Sequence, residues 1–252
     1  MINLTEKIIL VTGSSSGIGA AIALTLAEAG AAVILHYNNN EAGALKIAEE
    51  IGRNKCQIVK ADLTVEKGAI ALWEEALAWQ GRIDIIVNNA GIYIPATIED
   101  ELDVWSEVWQ QTLQVNLVAV GDLCREAIRH FQSRGGGTII NIASRAAFRG
   151  DDVEHVHYAA SKGGVVALTR TIARGFAKDN ILAYAVAPGF VRTEKKEATI
   201  KERGEEAFTW DIPLGKIAEP RDVANTVAFL ASGLVPHATG TTIDINGASY
   251  VR

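Results

Sequence analysis

The chain of 252 residues is 48% hydrophobic and 21% charged, an ordinary balance for a globular protein and long enough for a large packed core. Its formal net charge of −6 comes with no basic tail and no Lys/Arg cluster, which argues against nucleic acid and anionic membrane surfaces as partners. Apolar runs such as "AAVIL" are far too short to span a bilayer, and the chain enters a strand-like run almost at once, so neither a membrane protein nor a secretory signal is expected.

In chain order, short β-branched runs alternate with longer amphipathic ones. "KIILVTG" (7–13) predicts a buried strand, followed by a helix in which Ile18, Ile22, Leu26 and Ala29 recur at helical spacing and Gly30 supplies the stop. "AAVILHY" (31–37) predicts a strand and "EAGALKIAEEIG" (41–52) a helix, again ended by glycine. "CQIVKADL" (56–63) predicts a third strand, and 64–81 a helix with Thr64 as its N-cap. Further strands are expected at 82–91, 137–144, 181–189 and 241–247, with long helices at 106–134 and 158–178. The segment 190–219 is highly charged without a clean period and is expected to be a long irregular loop, either a binding lid or a solvated excursion. Cys56 and Cys124 lack metal-ligand spacing and read as reduced core thiols of a cytoplasmic protein with no metal site.

Strands that are apolar on both faces and alternate with helices imply a parallel sheet covered on both sides. With no linker, repeat or low-complexity tract, the expected architecture is a single doubly wound α/β domain spanning 1–252. Ligands of such sheets bind beyond the carboxyl ends of the strands, and small polar residues gather there. The strand ends carry "TGSSSGIG" (12–19), "HYNNN" (36–40), Asp62, "NNAG" (88–91), Ser144 and "PGFVRT" (188–193). In the first of these, Gly13 allows a tight exit turn, Gly17 lets backbone approach a ligand, and Gly19 permits close helix–strand packing. The helix start then offers free N–H groups and a positive dipole end to a pyrophosphate. The spacing differs from G-x-G-x-x-G and lacks the Gly-Lys-Ser/Thr ending of a nucleotide triphosphate loop.

"TGSSSGIG", "NNAG", a serine after the fifth strand, "YAASK" (158–162) and "PG…T", in this order, resemble the short-chain dehydrogenase/reductase family over essentially the whole chain. The segments "IPLGKIAEPRDVANTVAFLAS" and "TGTTIDINGASYV" are similar to its 3-oxoacyl-[acyl-carrier-protein] reductase-like branch. The resemblance implies a seven-stranded Rossmann-type sheet, a nicotinamide cofactor and a homotetramer built through the helices at 106–134 and 158–178. It makes Ser144, Tyr158, Lys162 and Asn116 the catalytic set: Ser144 bonds the substrate oxygen, Lys162 also binds the nicotinamide ribose, and Asn116 kinks its helix and holds a water relay. It places Ser15, Ser16 and Ile18 of the glycine-rich turn on the cofactor, Asp62 on the adenine amino group, and Leu63 beside it. Asn88 and Gly91 flank the adenine ribose, with Asn89, Ala90 and Ile92 on the same path. Pro188, Gly189 and Val191 form the nicotinamide wall, and Thr193 bonds the carboxamide.

Tyr158 would act as general acid/base, yet an unperturbed phenol has a pKa near 10. Bringing it to neutrality needs roughly 4 kcal/mol of preference for phenolate. An ammonium ~4 Å away at an effective dielectric near 20 supplies about that much, so Lys162 at i+4 has the right magnitude. His155 and His157 read as loop residues outside the chemistry. Cofactor choice turns on the end of the second strand, where Tyr37 occupies the position at which an acidic residue would select NAD. That tilts toward NADP, with His36, Asn38 and Asn39 as contacts and NAD left open. The expected activity is therefore an NADP-preferring reductase or dehydrogenase acting on a carbonyl or secondary alcohol, with a 3-oxoacyl thioester as first substrate. The alternatives are an NAD-dependent dehydrogenase of a sugar, steroid or other secondary alcohol, and a non-catalytic dinucleotide sensor.

Overall fold

The computed structural model describes residues 2–252, and at Lys195 the backbone alone. Seven strands form one sheet in the order β3-β2-β1-β4-β5-β6-β7: β1 Ile8–Val11, β2 Ala32–Tyr37, β3 Cys56–Lys60, β4 Ile85–Asn88, β5 Gly137–Ile142, β6 Ile181–Pro188 and β7 Thr242–Ile245. All six pairings are parallel, with Leu10 opposite Ile34 on one side and Ile86 on the other. The crossovers run through α1 Gly17–Glu28, α2 Glu41–Ile51, α3 Gly68–Ala78, α4 Leu102–Leu113, α5 Ala119–Arg134, α6 Ala146–Arg149, α7 Val156–Phe176, α8 Glu194–Arg203, α9 Glu206–Thr209 and α10 Pro220–Ala231.

Because side chains alternate across a strand, each run of apolar residues feeds two cores at once. Ile8 and Leu10 pack with Leu72, Phe131 and Val165 from α3, α5 and α7. Ile9 and Val11 pack with Ile22, Leu26 and Val227 from α1 and α10 on the opposite face. That double coverage is why the strands read as continuously hydrophobic. Sheet order reverses between β1 and β4, so the chain opens a crevice beyond their carboxyl ends.

The expected elements are all present, and three local readings are corrected. Thr64 is not a helix cap: its hydroxyl and amide both bond Asp62, and α3 starts only at Gly68, after Lys67 in the left-handed region (φ 63°). The long helix expected over 106–134 begins at Leu102 and is interrupted by a π-helical turn, Gln114–Val118, that contains Asn116. The expected loop at 190–219 contains α8 and α9. Arg192 ties this segment together, pairing with Glu197 (3.4 Å), Glu205 and Glu219 (3.2 Å).

No helix among the described residues is long and apolar enough to cross a membrane. Both cysteines are buried free thiols, and burial pushes that of Cys124 up to about 12. Phe131 fills the α5 face of the core with no exposed surface. Phe131→Ala should cost about 3–5 kcal/mol of unfolding free energy, read from urea unfolding midpoints at unchanged slope.

Candidate active site

The crevice is built by locking the turn after β1 against the turn after β4. The Thr12 hydroxyl accepts the backbone N–H groups of Asn89 and Ala90 (2.9 Å each), and the Asn89 amide donates to the Thr12 carbonyl (2.9 Å). Gly13 has φ 63°, and a Cβ there would sit 2.9 Å from the Ala90 Cα, so the two turns touch through a position only glycine can fill. At Gly19 a Cβ would collide with the Gly13 carbonyl oxygen and the Asn89 amide, which is the close helix–strand packing expected of it.

His36 pins the third strand end to the same point. Its Nδ1 accepts the Gly13 N–H (3.0 Å) and its Nε2 contacts the Ala61 carbonyl (3.1 Å), an arrangement that defines a neutral imidazole with the proton on Nε2. Burial holds its pKa below the ordinary value of 6.5. His36 also lines the cleft that these turns form, with both ring nitrogens committed to backbone partners. Asn38 donates to Asp62 (3.2 Å), and Thr64 bonds the same carboxylate oxygen, holding the Asp62 pKa below its usual range.

These turns enclose a cleft of about 570 Å³. Gly13, Ser15, Ser16, Gly17, Ile18 and Gly19 line it from the first turn. Tyr37, Asn38, Asp62 and Leu63 line it from the second and third, and Asn89, Ala90 and Gly91 from the fourth. The Ser16 side chain does not cap α1, so the first-turn amides remain available to an anion at the mouth of the cleft. A phosphate-bearing, elongated ligand fits this donor set. Tyr37 stands where a ribose-binding carboxylate would otherwise lie, with its pKa raised by burial and by the Glu41 carboxylate that its hydroxyl faces.

A second cavity, about 180 Å³, adjoins the first through Ile18, Asn89, Gly91, Ile92 and Thr193. Ser144, Tyr158, Lys162, Pro188, Gly189 and Val191 line it. Tyr158 and Lys162 lie on the first turns of α7, as the i+4 spacing predicts, and Ser144 lies two residues beyond β5. The Lys162 ammonium donates to the Ile142 carbonyl (2.8 Å) and lies 5.7 Å from the centre of the Tyr158 ring. Burial pushes its pKa down to about 8. Burial likewise raises Tyr158 to about 12, with the Ser144 hydroxyl opposing that rise. In the protein alone desolvation dominates the phenol, and the lowering expected of Lys162 would also draw on the charge of an oxidised nicotinamide.

Asn116 is fully buried and does not line the cleft. The π turn aims its amide at the backbone of Ile92, accepting the N–H (2.8 Å) and donating to the carbonyl (3.0 Å), and Nδ2 also donates to Ser161 (3.3 Å). A Cβ on Gly91 would lie 3.2 Å from the Asn116 Oδ1 and 3.7 Å from the Lys162 Nζ, so Asn116 and Lys162 converge on one point of the cleft wall.

Asn88 is corrected: its side chain faces the core, donating to Asn141 (2.8 Å) in a buried chain that continues to Thr169 (2.9 Å). His155 and His157 are corrected as well, being buried at the start of α7 rather than in a loop. His157 contacts the Ile94 carbonyl (2.8 Å) through Nε2. His155 stacks on Tyr93 at 3.7 Å between ring centres. Tyr93, missed in the sequence, meets Tyr158 edge-on at 4.7 Å and lines the second cavity, as does Lys196 from α8. Among the described residues no group of three or more His, Cys, Asp or Glu side chains could hold a metal ion.

A parallel sheet in this strand order, a glycine turn at its switch point, and a serine, tyrosine and lysine around one adjoining cavity define a nicotinamide-type oxidoreductase fold. The chain belongs to the short-chain dehydrogenase/reductase family: the family model described as enoyl-(acyl carrier protein) reductase matches residues 13–248. Among curated proteins, the 3-oxoacyl-[acyl-carrier-protein] reductase FabG of Aquifex aeolicus is 37% identical over 254 residues, covering 99% of each chain. FabG of Staphylococcus aureus strain N315 is 34% identical, covering 97% of this chain and 98% of its own. Among solved structures, a Beutenbergia cavernae protein provisionally described as an NAD(P)-dependent gluconate 5-dehydrogenase, with NADP bound at low occupancy, superposes with a TM-score of 0.89. It is 35% identical, and 98% of each chain is covered.

The depressed pKa of His36 has a consequence for stability. The unfolded imidazole takes up a proton at about 6.5 and the folded one only at lower pH, so stability falls as the pH drops below about 6.5. His130 and His155 act in the same direction. His36→Gln should flatten this acid-side decline, measured as melting temperature against pH.

Proposed function

We propose that the protein is an NADP(H)-dependent oxidoreductase that interconverts a carbonyl and a secondary alcohol. The larger cleft would hold the dinucleotide and the smaller one the substrate. The observation that carries this is the convergence of the Ser144 and Tyr158 side chains on one cavity, beside buried Lys162, at the end of a phosphate-accepting cleft. Support for NADP is the tyrosine, rather than a carboxylate, at the end of β2, together with the NADP found in the Beutenbergia cavernae structure.

A nicotinamide held in the larger cleft would supply the hydride in reduction and accept it in oxidation. Ser144 donates a hydrogen bond to the substrate oxygen, which steadies charge developing there. Tyr158 gives its phenolic proton to that oxygen, so carbonyl becomes alcohol, and the phenolate is reprotonated from solvent. With its pKa raised to about 12, Tyr158 is fully protonated at neutral pH and ready as an acid. The Lys162 ammonium stabilises the phenolate left behind, and its charge is available below its pKa of about 8. Asn116 holds Ile92 and the cleft wall beside it. The relatives described as 3-oxoacyl-[acyl-carrier-protein] reductases make a 3-oxoacyl thioester the first substrate to assay.

We further infer a cytoplasmic homotetramer. Support for the assembly comes from the exposed Leu102, Val104, Val118 and Val156, which leave apolar surface on the α4–α5 and α7 helices for another subunit to cover. Light scattering on the purified protein tests it.

Tyr158→Phe should retain NADPH binding by fluorescence titration while turnover falls by about 10²–10⁴-fold. Undiminished turnover would overturn the role of the phenol. Reduction by the wild type should decline as the pH rises through about 8, where Lys162 loses its charge. Tyr37→Asp should reverse the cofactor preference from NADPH to NADH, read from the two dissociation constants. Wild-type protein that binds NADH more tightly than NADPH would refute the cofactor assignment.

A further inference from the structure

Several cations lie on or beside the smaller cavity, and Arg145, Arg149, Arg192 and Lys162 are each neutralised or bonded. Arg145 donates to Asp211 (3.2 Å) and Ser249 (2.6 Å), and Arg149 donates to the same Asp211 (2.6 Å). Arg192 is held by three carboxylates, and the Lys162 ammonium by the Ile142 carbonyl. Lys196 is different. It lines the cavity with Ser144 and Tyr158, and among the described residues it has no carboxylate within ion-pair distance.

Its surroundings hold it in place instead of neutralising it. The ammonium rests 4.2 Å above the Phe190 ring, which itself stacks on Phe208 at 4.7 Å. The Arg192 cluster anchors the start of α8, and the Lys196 amide bonds the Thr193 carbonyl (2.8 Å), so its backbone is fixed at the cavity edge. Burial lowers its pKa, with Asp151 acting at longer range to raise it and Arg145 to lower it. A partly desolvated cation without a counterion is costly unless something arrives to pair with it. The ammonium shares a cavity of about 180 Å³ with Ser144 and Tyr158, so an anion carried by the molecule reacting at Tyr158 comes within its reach.

We propose that Lys196 is the anion-binding residue of the substrate pocket, selecting hydroxy or oxo compounds that carry a carboxylate or phosphate a few carbons from the reacting carbon. This rests on the oxidoreductase reading and narrows its substrate class: the acyl chain of a 3-oxoacyl thioester offers no such anion beside its carbonyl.

The test compares three ligands with one carbon chain, D-sorbitol, D-gluconate and D-sorbitol 6-phosphate, titrated calorimetrically into enzyme saturated with NADPH, a complex in which an alcohol cannot turn over. One or both anions should bind about 10- to 100-fold more tightly than sorbitol, the range of a charge-assisted hydrogen bond. The tighter of the two identifies the group. Lys196→Met should bring anions and sorbitol to near parity, Lys196→Arg should preserve most of the difference, and both should bind NADPH as the wild type does. Anions that bind no better than sorbitol, including not at all, overturn the proposal, as does a preference that survives in Lys196→Met. Should the Met variant not fold, the wild-type comparison and the Arg variant still decide. An NADPH oxidation assay with acetoacetyl-CoA separates the two readings. Turnover there without any anion preference removes only the role of Lys196, whereas absence of cofactor binding removes the oxidoreductase reading itself.

Discussion

Where the sheet order reverses, β1 and β4 leave the sheet side by side, and their exit turns come into van der Waals contact at Gly13 and Ala90. Thr12 and Asn89 stitch the contact with hydrogen bonds in both directions, and His36 fastens the end of β2 to it. Each later feature is referred to this junction. It sets the direction of α1, leaves the first-turn amides open to the crevice, and fixes the floor on which Gly91 and Ile92 lie. A side chain at position 13 or 19 would pry the junction apart, and the crevice would lose its shape before any contact to a ligand was touched.

At the other end of the crevice, electrostatics is governed by exclusion of water more than by pairwise attraction. Burial drives Tyr158 and Lys162 toward their neutral forms from opposite directions. The phenol therefore keeps its proton firmly until a substrate oxygen gives it somewhere to go. The ammonium, turned to a backbone carbonyl, is a charge held close to the ring without being paired to it. The Asn116 π turn contributes from behind, by fixing the Ile92 backbone rather than by facing the cleft.

Much of this was legible in the chain because it depends on local rules. Parallel strands buried on both faces read as unbroken apolar runs, and a turn needing positive φ reads as glycine. A phenol and an ammonium meant to share a helix face read as a spacing of four. What escaped depends on partners distant in sequence or on which way a side chain points. "NN" at 88–89 does not say which asparagine faces the crevice; strand alternation turns Asn88 inward to Asn141 and leaves Asn89 outside. The charged segment after β6 shows no apolar period, yet Arg192 gathers carboxylates 5, 13 and 27 positions downstream and a helix forms between them. Tyr93 gave no signal, since its value comes from stacking on His155, 62 residues away.

The π turn between α4 and α5 bears on how this family member can vary. A π turn holds one residue more than the regular helix around it and absorbs that residue as a local bulge. Deleting a single residue within Gln114–Val118 would let the helix run straight through with the faces of α4 and α5 in nearly the same phase, but it would remove the bulge that turns the Asn116 amide onto the Ile92 backbone. Helix length and site geometry are therefore coupled here: the stretch tolerates substitution on its outer surface but not a change in residue number.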